Sequence, residues 1–264
     1  GLLRRLHGPI MAGVMLLTMA SADASSRVAM AIPTEGITVD GSFEDWPESA
    51  PAYPLQRLTA GDQPVDRADL TGSFRLAWDQ AGRLYVAIEL IDDERIVDQA
   101  GGDWRSQDGL ELFLQPSADD ETTISQIALW GDRLVGGDEG VQVRTQVTAH
   151  RRQIEWCIEP DRLGAGIGAG TLLGFDVAVN DRDTDSFTTS MWGEAQASGS
   201  GLGQALLLPS ATGTAILAGT VLRADSPIPR ATVQIQSVQT PAWIWVLQAD
   251  RQGRLSLRGP QGTY

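Results

Sequence analysis

Residues 73–116 read SFRLAWDQAGRLYVAIELIDDERIVDQAGGDWRSQDGLELFLQP, and their alternation decides the fold class. Phe74, Leu76 and Trp78 alternate with Arg75 and Ala77, and Asp79-Gln80-Ala81-Gly82 turns the chain. Leu84, Val86, Ile88 and Leu90 then alternate with Tyr85, Ala87 and Glu89. A period of two over this length marks half-buried antiparallel strands. A polar excursion follows from Asp92 to Gln107, with Trp104 inside it. The chain re-enters a strand in which Leu110, Leu112 and Leu114 face one way and Glu111 and Phe113 the other.

Outside this stretch the same grammar recurs. Val39-Asp40-Gly41 to Asp45-Trp46 opens on a turn pair, and Trp46 is read as a plug at one end of the core. Residues 50–70 are irregular, with three prolines. Strands are expected at Thr123 to Trp130, at Arg133 to Val135, at Val141 to Thr148 and at Gln153 to Ile158. Pro160 to Leu163 makes one helical turn. A glycine-rich loop, Gly164 to Gly170, leads to Leu173, Phe175, Val177 and Val179, and Ala205 to Leu208 closes the set. Many short strands with turns every 8–12 residues and almost no helical period predict an all-β, antiparallel β-sandwich or barrel. Ser210 to Gly213 reads as a linker, and residues 214–264 repeat the pattern on a smaller scale.

Composition narrows the function. The 264 residues carry a net charge of −14, which argues against nucleic acid because phosphate binding needs clustered cations. All twenty basic residues are arginine, so no Schiff-base lysine exists. Residues 1–24, with Arg4-Arg5, an apolar run from Ile10 to Met19 and Ala22-Asp23-Ala24, read as a secretory signal peptide; the run is too short to span a membrane. The expected location is therefore exported, periplasmic or extracellular, with residues 25–209 as the first domain. The sequence starts on Gly1 and stops in mid-strand at Tyr264, as a piece of a longer chain does. Cys157, the single cysteine, has no disulfide partner and reads as a quiet, partly buried thiol.

Most catalytic signals fail. Gly164 to Gly170 has Ala169 where G-x-G-x-x-G needs glycine, and it precedes a strand. No G-x-S-x-G occurs, and His150 is the only histidine outside the leader. Carboxylates abound, but no pair stands out for glycoside hydrolysis. With one such histidine and no lysine, haem ligation ranks last. Asp181-Arg182-Asp183-Thr184-Asp185 starts like an EF-hand loop but has Ser186 and Trp192 where glycine and glutamate belong. That leaves a solvated acidic loop or a structural calcium site of another kind; no other cofactor is expected. Eight tryptophans against three tyrosines remain to be explained. Trp78 and Trp156 are in phase with apolar faces, whereas Trp104 and Trp192 sit in or beside acidic loops. Pyranose rings offer C–H faces to aromatics and hydroxyls to carboxylates and guanidinium groups.

The order of these pieces resembles the family 9 carbohydrate-binding modules. The resemblance rests on Val39-Asp40-Gly41 to Asp45-Trp46, Leu76 to Asp79, Leu84 to Ala87 with Asp92-Asp93, Trp104 with Asp108 to Leu114, and Gly174 to Asp181. It covers about residues 36–209. It implies a non-catalytic β-sandwich whose two tryptophans sandwich a terminal sugar while a glutamate shortly after the first contacts hydroxyls. Trp104 and Glu111 match the first tryptophan and that glutamate, and Trp192 the second. Asp108 and Arg144 complete the expected carbohydrate site, within which Trp104 and Trp192 are expected to be partly exposed and close together. Gly109 stands where the family usually has serine. Such modules are often attached to glycan hydrolases; divergent relatives serve as ectodomains of receptors or outer-membrane proteins without sugar binding. Residues 214–264 resemble the carboxypeptidase regulatory-like domain, an Ig-like connector, through Gly219-Thr220-Val221, Pro227 to Val233 and Asp250 to Leu257. That family usually has glycine where Arg230 stands.

Overall fold

The computed structural model describes residues 27–98, 102, 105–116, 124–136, 139–164, 167–193, 202–209, 214–238 and 243–260. The leader and the linker expected at 210–213 lie outside these residues. The first unit is built from β1 (Val28–Pro33), β2 (Tyr53–Leu55), β3 (Arg57–Gly61), β4 (Leu70–Trp78), β5 (Leu84–Asp92), β6 (Gly109–Gln115), β7 (Ser125–Trp130), β8 (Arg133–Val135), β9 (Val141–Thr148), β10 (Arg151–Ile158), the single-turn α1 (Pro160–Leu163), β11 (Leu172–Arg182), β12 (Phe187–Met191) and β13 (Gly203–Leu207). The thirteen strands form one continuous, nearly closed sheet. Its main path runs β8-β7-β6-β11-β13-β1-β4-β5-β10-β9, with β12 on β11, β3 on β12 and β2 on β4.

The alternation of the central stretch turns inward as expected. Phe74 and Leu76, Leu84, Val86, Ile88 and Leu90, and Leu110, Leu112 and Leu114 are buried in the common core. β5 departs from strict alternation because Tyr85 and Ala87 are buried as well. The Tyr85 hydroxyl donates to Asp79 at 3.0 Å, so the second face is closed by the turn that precedes it. β1 has no counterpart in the alternation reading. It pairs in parallel with both β13 and β4, and its run Val28-Ala29-Met30-Ala31-Ile32 is buried on both faces. Parallel strands covered on both sides read as continuous apolar runs. β3 and β12 pair with each other, and their polar sequences hide them.

Trp46 closes one end of the core, as expected. Its indole Nε1 donates to Glu155 Oε1 at 2.6 Å, while Glu155 Oε2 accepts from the Gly41 and Asp40 amides at 2.7 and 2.9 Å. Gly41 is required by the turn: its φ is +91°, and a Cβ there would lie 2.9 Å from the Gln146 nitrogen. One buried carboxylate thus fastens the loop, its turn and its tryptophan to β10. Exchange of Glu155 for glutamine sets an amide NH₂ against N–H donors, so Glu155→Gln is expected to cost about 1–3 kcal/mol, read by urea denaturation; an unchanged midpoint refutes the fastening role. Cys157 is buried beside Tyr85 in register, and burial pushes its thiol up to about 11.

The remaining strands are β14 (Thr214–Thr220), β15 (Leu222–Arg223), β16 (Ser226–Pro227), β17 (Thr232–Gln236), β18 (Ile244–Gln248) and β19 (Arg254–Pro260). They pair as β14-β19, β15-β16 and β17-β18. Arg230 has φ +53°, a left-handed conformation that favours glycine. Ile235, Trp245, Leu247 and Leu257 join the core cluster of the first unit. The Gln248 amide donates to the Ala52 carbonyl at 3.2 Å, and Arg27 bridges to Ile244. No helix among the described residues is long and apolar enough to cross a membrane.

Candidate functional site

Register defines a polar face on the half of the sheet built by β7, β6, β11 and β12. Gly109 lies opposite Trp130 and Asn180, and Glu111 lies opposite Ala128 and Ala178. Thr189 lies opposite Asn180 on the far side. Inward from these strands point Leu110, Leu112, Ile127, Leu129, Val177 and Val179, all buried. Glu111 therefore stands on the face away from the core. Both of its oxygens are held: Asn180 Nδ2 donates to Oε1 at 3.0 Å and Gln126 Nε2 to Oε2 at 2.7 Å. Thr189 Oγ1 donates to Asn180 Oδ1 at 2.8 Å, which fixes the amide so that its NH₂ faces Glu111. A carboxylate held by two amides keeps acceptor capacity for an added hydroxyl donor.

Three expected site residues behave differently from the sequence reading. Trp192 is fully buried, at 0 % exposure, and packs edge-on to Phe74 with centroids 5.2 Å apart and against Tyr53 and Phe175 at 6.1 and 6.2 Å. It is a core residue, because its aromatic partners come from β2, β4 and β11 rather than from its own acidic loop. Asp108 is 1 % exposed; it accepts from the Arg182 amide at 3.0 Å and the Ile96 amide at 3.3 Å. It anchors the loop to β11 and presents nothing to solvent. Arg144 is on β9, paired opposite Glu155, and six strands of the sheet path separate it from β6. Its Nη1 donates to the Val143 carbonyl at 2.8 Å. Trp104 lies outside the described residues. The loop around it is tied at described points: Asp98 Oδ2 accepts from the Gly102 amide at 3.1 Å and from Ser106 Oγ at 2.9 Å. The Gly102 carbonyl accepts from Gln107 Nε2 at 2.8 Å and Arg133 Nη2 at 3.3 Å.

Asn180, Gln126 and Trp130 escaped the sequence reading. Strand phase was the available signal for Trp130, since it alternates out of step with Ile127 and Leu129. Nothing local marks Asn180 or Gln126, which matter only because register sets them beside Glu111.

Beneath the loop lies a carboxylate cluster. Oxygens of Asp92, Asp181 and Asp183 come within 4.8 Å of one another, as do those of Asp69, Asp93 and Asp183. Asp181 is 2 % exposed, yet neither of its oxygens has a hydrogen-bond partner, and Asp183 Oδ1 also lacks one. Burial, then the charges of Asp92, Asp183, Asp108 and Asp69, push Asp181 up to about 9. Burial first, then Asp92, push Asp108 up to about 7. Arg152 Nη1, 3.7 Å from Asp108 Oδ2, serves the other side of the cluster. An all-oxygen set with orphaned lone pairs fits a hard divalent cation such as calcium.

Residues 39–130 match the family described as "Carbohydrate family 9 binding domain-like". The curated proteins give no match. The chain is similar to a family 9 carbohydrate-binding module from Caldicellulosiruptor kristjanssonii in complex with cellotriose, with 18% identity, a TM-score of 0.56 and coverage of 70% of this chain and 95% of that one. It is similar as well to a family 9 module from the same organism in complex with glucose, at 17% identity and a TM-score of 0.56, covering 70% and 97%. At such identities the likeness is one of fold: the first unit is folded like the family 9 carbohydrate-binding modules.

Proposed function

We propose that the chain is an exported, non-catalytic carbohydrate-binding module, a β-sandwich that takes sugar on the Glu111 face. The observation that carries the reading is Glu111 itself: a carboxylate on the face away from the core, oriented at both oxygens by Asn180 and Gln126. The sugar-bound complexes of the two similar modules support it. Trp104, adjacent in sequence to this face, supplies an aromatic surface as the family resemblance implies. The module belongs to a larger glycan-degrading or glycan-sensing protein, and residues 214–264 are an Ig-like connector. Trp192's place in the core favours a second reading, a receptor or outer-membrane ectodomain that keeps the fold without the sugar site.

Calorimetric titration of residues 25–264 with glucose and cellotriose separates the two. Binding by the wild type is expected, with Glu111→Ala abolishing it and Glu111→Gln weakening it about tenfold, since a charged acceptor contributes about 1.5–3 kcal/mol. Equal binding by wild type and Glu111→Ala removes this face as the site. No response to either sugar counts against the sugar-binding reading and favours the second one.

The carboxylate cluster is proposed as a structural calcium site, with Asp92, Asp181 and Asp183 as ligands. The cation supplies charge neutralisation between the β5 end and the β11–β12 hairpin; the chain's own carboxylates position those two segments.

A further inference from the structure

Two partly exposed aromatics share the face of Glu111 without belonging to the core. Phe113 and Trp130 are half-buried, and neither joins the core cluster nor the partly buried hydrophobics packed against it. Trp130 lies opposite Gly109, two residues before Glu111, and Phe113 lies two residues after it. Glu111 is thus midway between the two rings along β6. Four residues of strand separate their levels, about 13 Å.

Local details hold Trp130 over this face. A Cβ on Gly109 would come 3.3 Å from Trp130 Cδ1, so the indole leans across the space that a side chain there would fill. The Arg133 guanidinium stands over the ring, 5.8 Å from its centroid, and ties to the Gly102 carbonyl. Gln126, exposed and opposite Phe113, adds an amide beside the second ring.

We infer that Trp130 and Phe113 form an aromatic track on either side of Glu111, and that the ligand is an oligosaccharide laid along β6 rather than a single terminal sugar. The inference rests on the sugar-binding reading of the Glu111 face. Two rings about 13 Å apart along a strand stack separate sugar units of one chain, while Glu111 takes hydroxyls between them. A two-sided clamp on one sugar by Trp104 and Trp192 is closed off because Trp192 is in the core. The track selects linear chains whose rings present C–H faces on the same side, as β-linked glucans with equatorial hydroxyls do.

Calorimetric titration of the chain with glucose and with cellotriose, for wild type, Trp130→Ala, Phe113→Ala and Glu111→Ala, tests the track. Wild type is expected to bind cellotriose about fivefold more tightly than glucose, since an added aromatic contact contributes about 1 kcal/mol. Trp130→Ala and Phe113→Ala should each remove most of that preference while melting within a few degrees of wild type, as neither ring packs on the core. Trp130→Tyr should restore part of it. Equal affinity of wild type for glucose and cellotriose overturns the track, as do alanine variants that keep the wild-type preference. Binding of neither sugar by wild type sinks the underlying sugar-binding reading instead, and wild-type binding lost in Glu111→Ala alone leaves that reading standing without the track.

Discussion

Trp192→Ala lowers the stability of the first unit by about 3–5 kcal/mol, the usual range for deleting a buried aromatic. Trp192 is wedged among Phe74, Tyr53 and Phe175, side chains contributed by three strands distant in sequence. Gly203 presses on the indole: a Cβ there would sit 2.2 Å from Trp192 Cζ3. The cavity left by alanine is therefore walled by rings and backbone that cannot collapse into it, which puts the loss toward the upper end. The carbonyl of Trp192 also accepts from Arg27 Nη1, and its amide donates to the Val177 carbonyl at 3.0 Å, so the residue joins the β12 end to β11 as well as filling space. Urea denaturation followed by far-ultraviolet circular dichroism reads the change. A sugar-contacting tryptophan gives the opposite pattern, lost binding with an unchanged melt, and that pattern would falsify the core assignment.

The contrast shows what the sequence carried and what it hid. β4, β5, β6 and β11 were legible because large apolar residues recur at every second position in the text, even where, as in β11, both faces are buried. β1 was illegible for the reverse reason: parallel pairing on both sides buries every residue and erases the alternation. β3 and β12, Arg57 to Gly61 and Phe187 to Met191, present mostly threonine, serine and small residues, so no apolar period marks them, although Thr188 to Met191 are buried. Trp192 was misread because its neighbours in sequence are acidic and glycine-rich, while its neighbours in space come from residues 53, 74 and 175. Local polarity says where a chain emerges, not where one large ring turns back. Glu111's outward orientation was legible from strand phase, and its role in a site from the family resemblance. Arg144 has equally clear phase, but phase does not say which part of a nearly closed sheet a strand occupies.

The two sugar-site arrangements differ in what they ask of the loop before β6. A clamp on one terminal ring needs a second tryptophan in the β11–β12 region, and this chain has committed that residue to packing. A track along β6 needs only Glu111, its two amides and the rings at the levels of Gly109 and Phe113. Glycine rather than serine at 109 is then part of the arrangement, since it lets Trp130 lean over the strand. The same substitution had no explanation at the level of sequence.

Asp181→Asn is expected to raise the melting temperature in the presence of a chelator and to erase the stabilisation that calcium gives the wild type. Asp181 is buried with both oxygens lacking partners, beside Asp92 and Asp183. Without a cation, an ionised carboxylate there faces two others in a region that water barely reaches, and burying unpaired charge is costly. The group escapes by holding a proton, which is why it is pushed up to about 9. An asparagine of the same shape carries no charge and removes that penalty. With calcium the order reverses. A ligand bound only by the folded state stabilises by about 2.7 kcal/mol at a hundred times its dissociation constant and about 4.1 at a thousand times, and the wild type alone gains it. Because the cluster joins the end of β5 to the β11–β12 hairpin, the gain should appear as one cooperative shift of the whole unit. Thermal melts of both proteins in chelator and in millimolar calcium read all four corners. Wild type and Asp181→Asn that respond alike to calcium place the cation elsewhere, and a variant less stable than wild type in chelator shows that the buried carboxylate already has a partner.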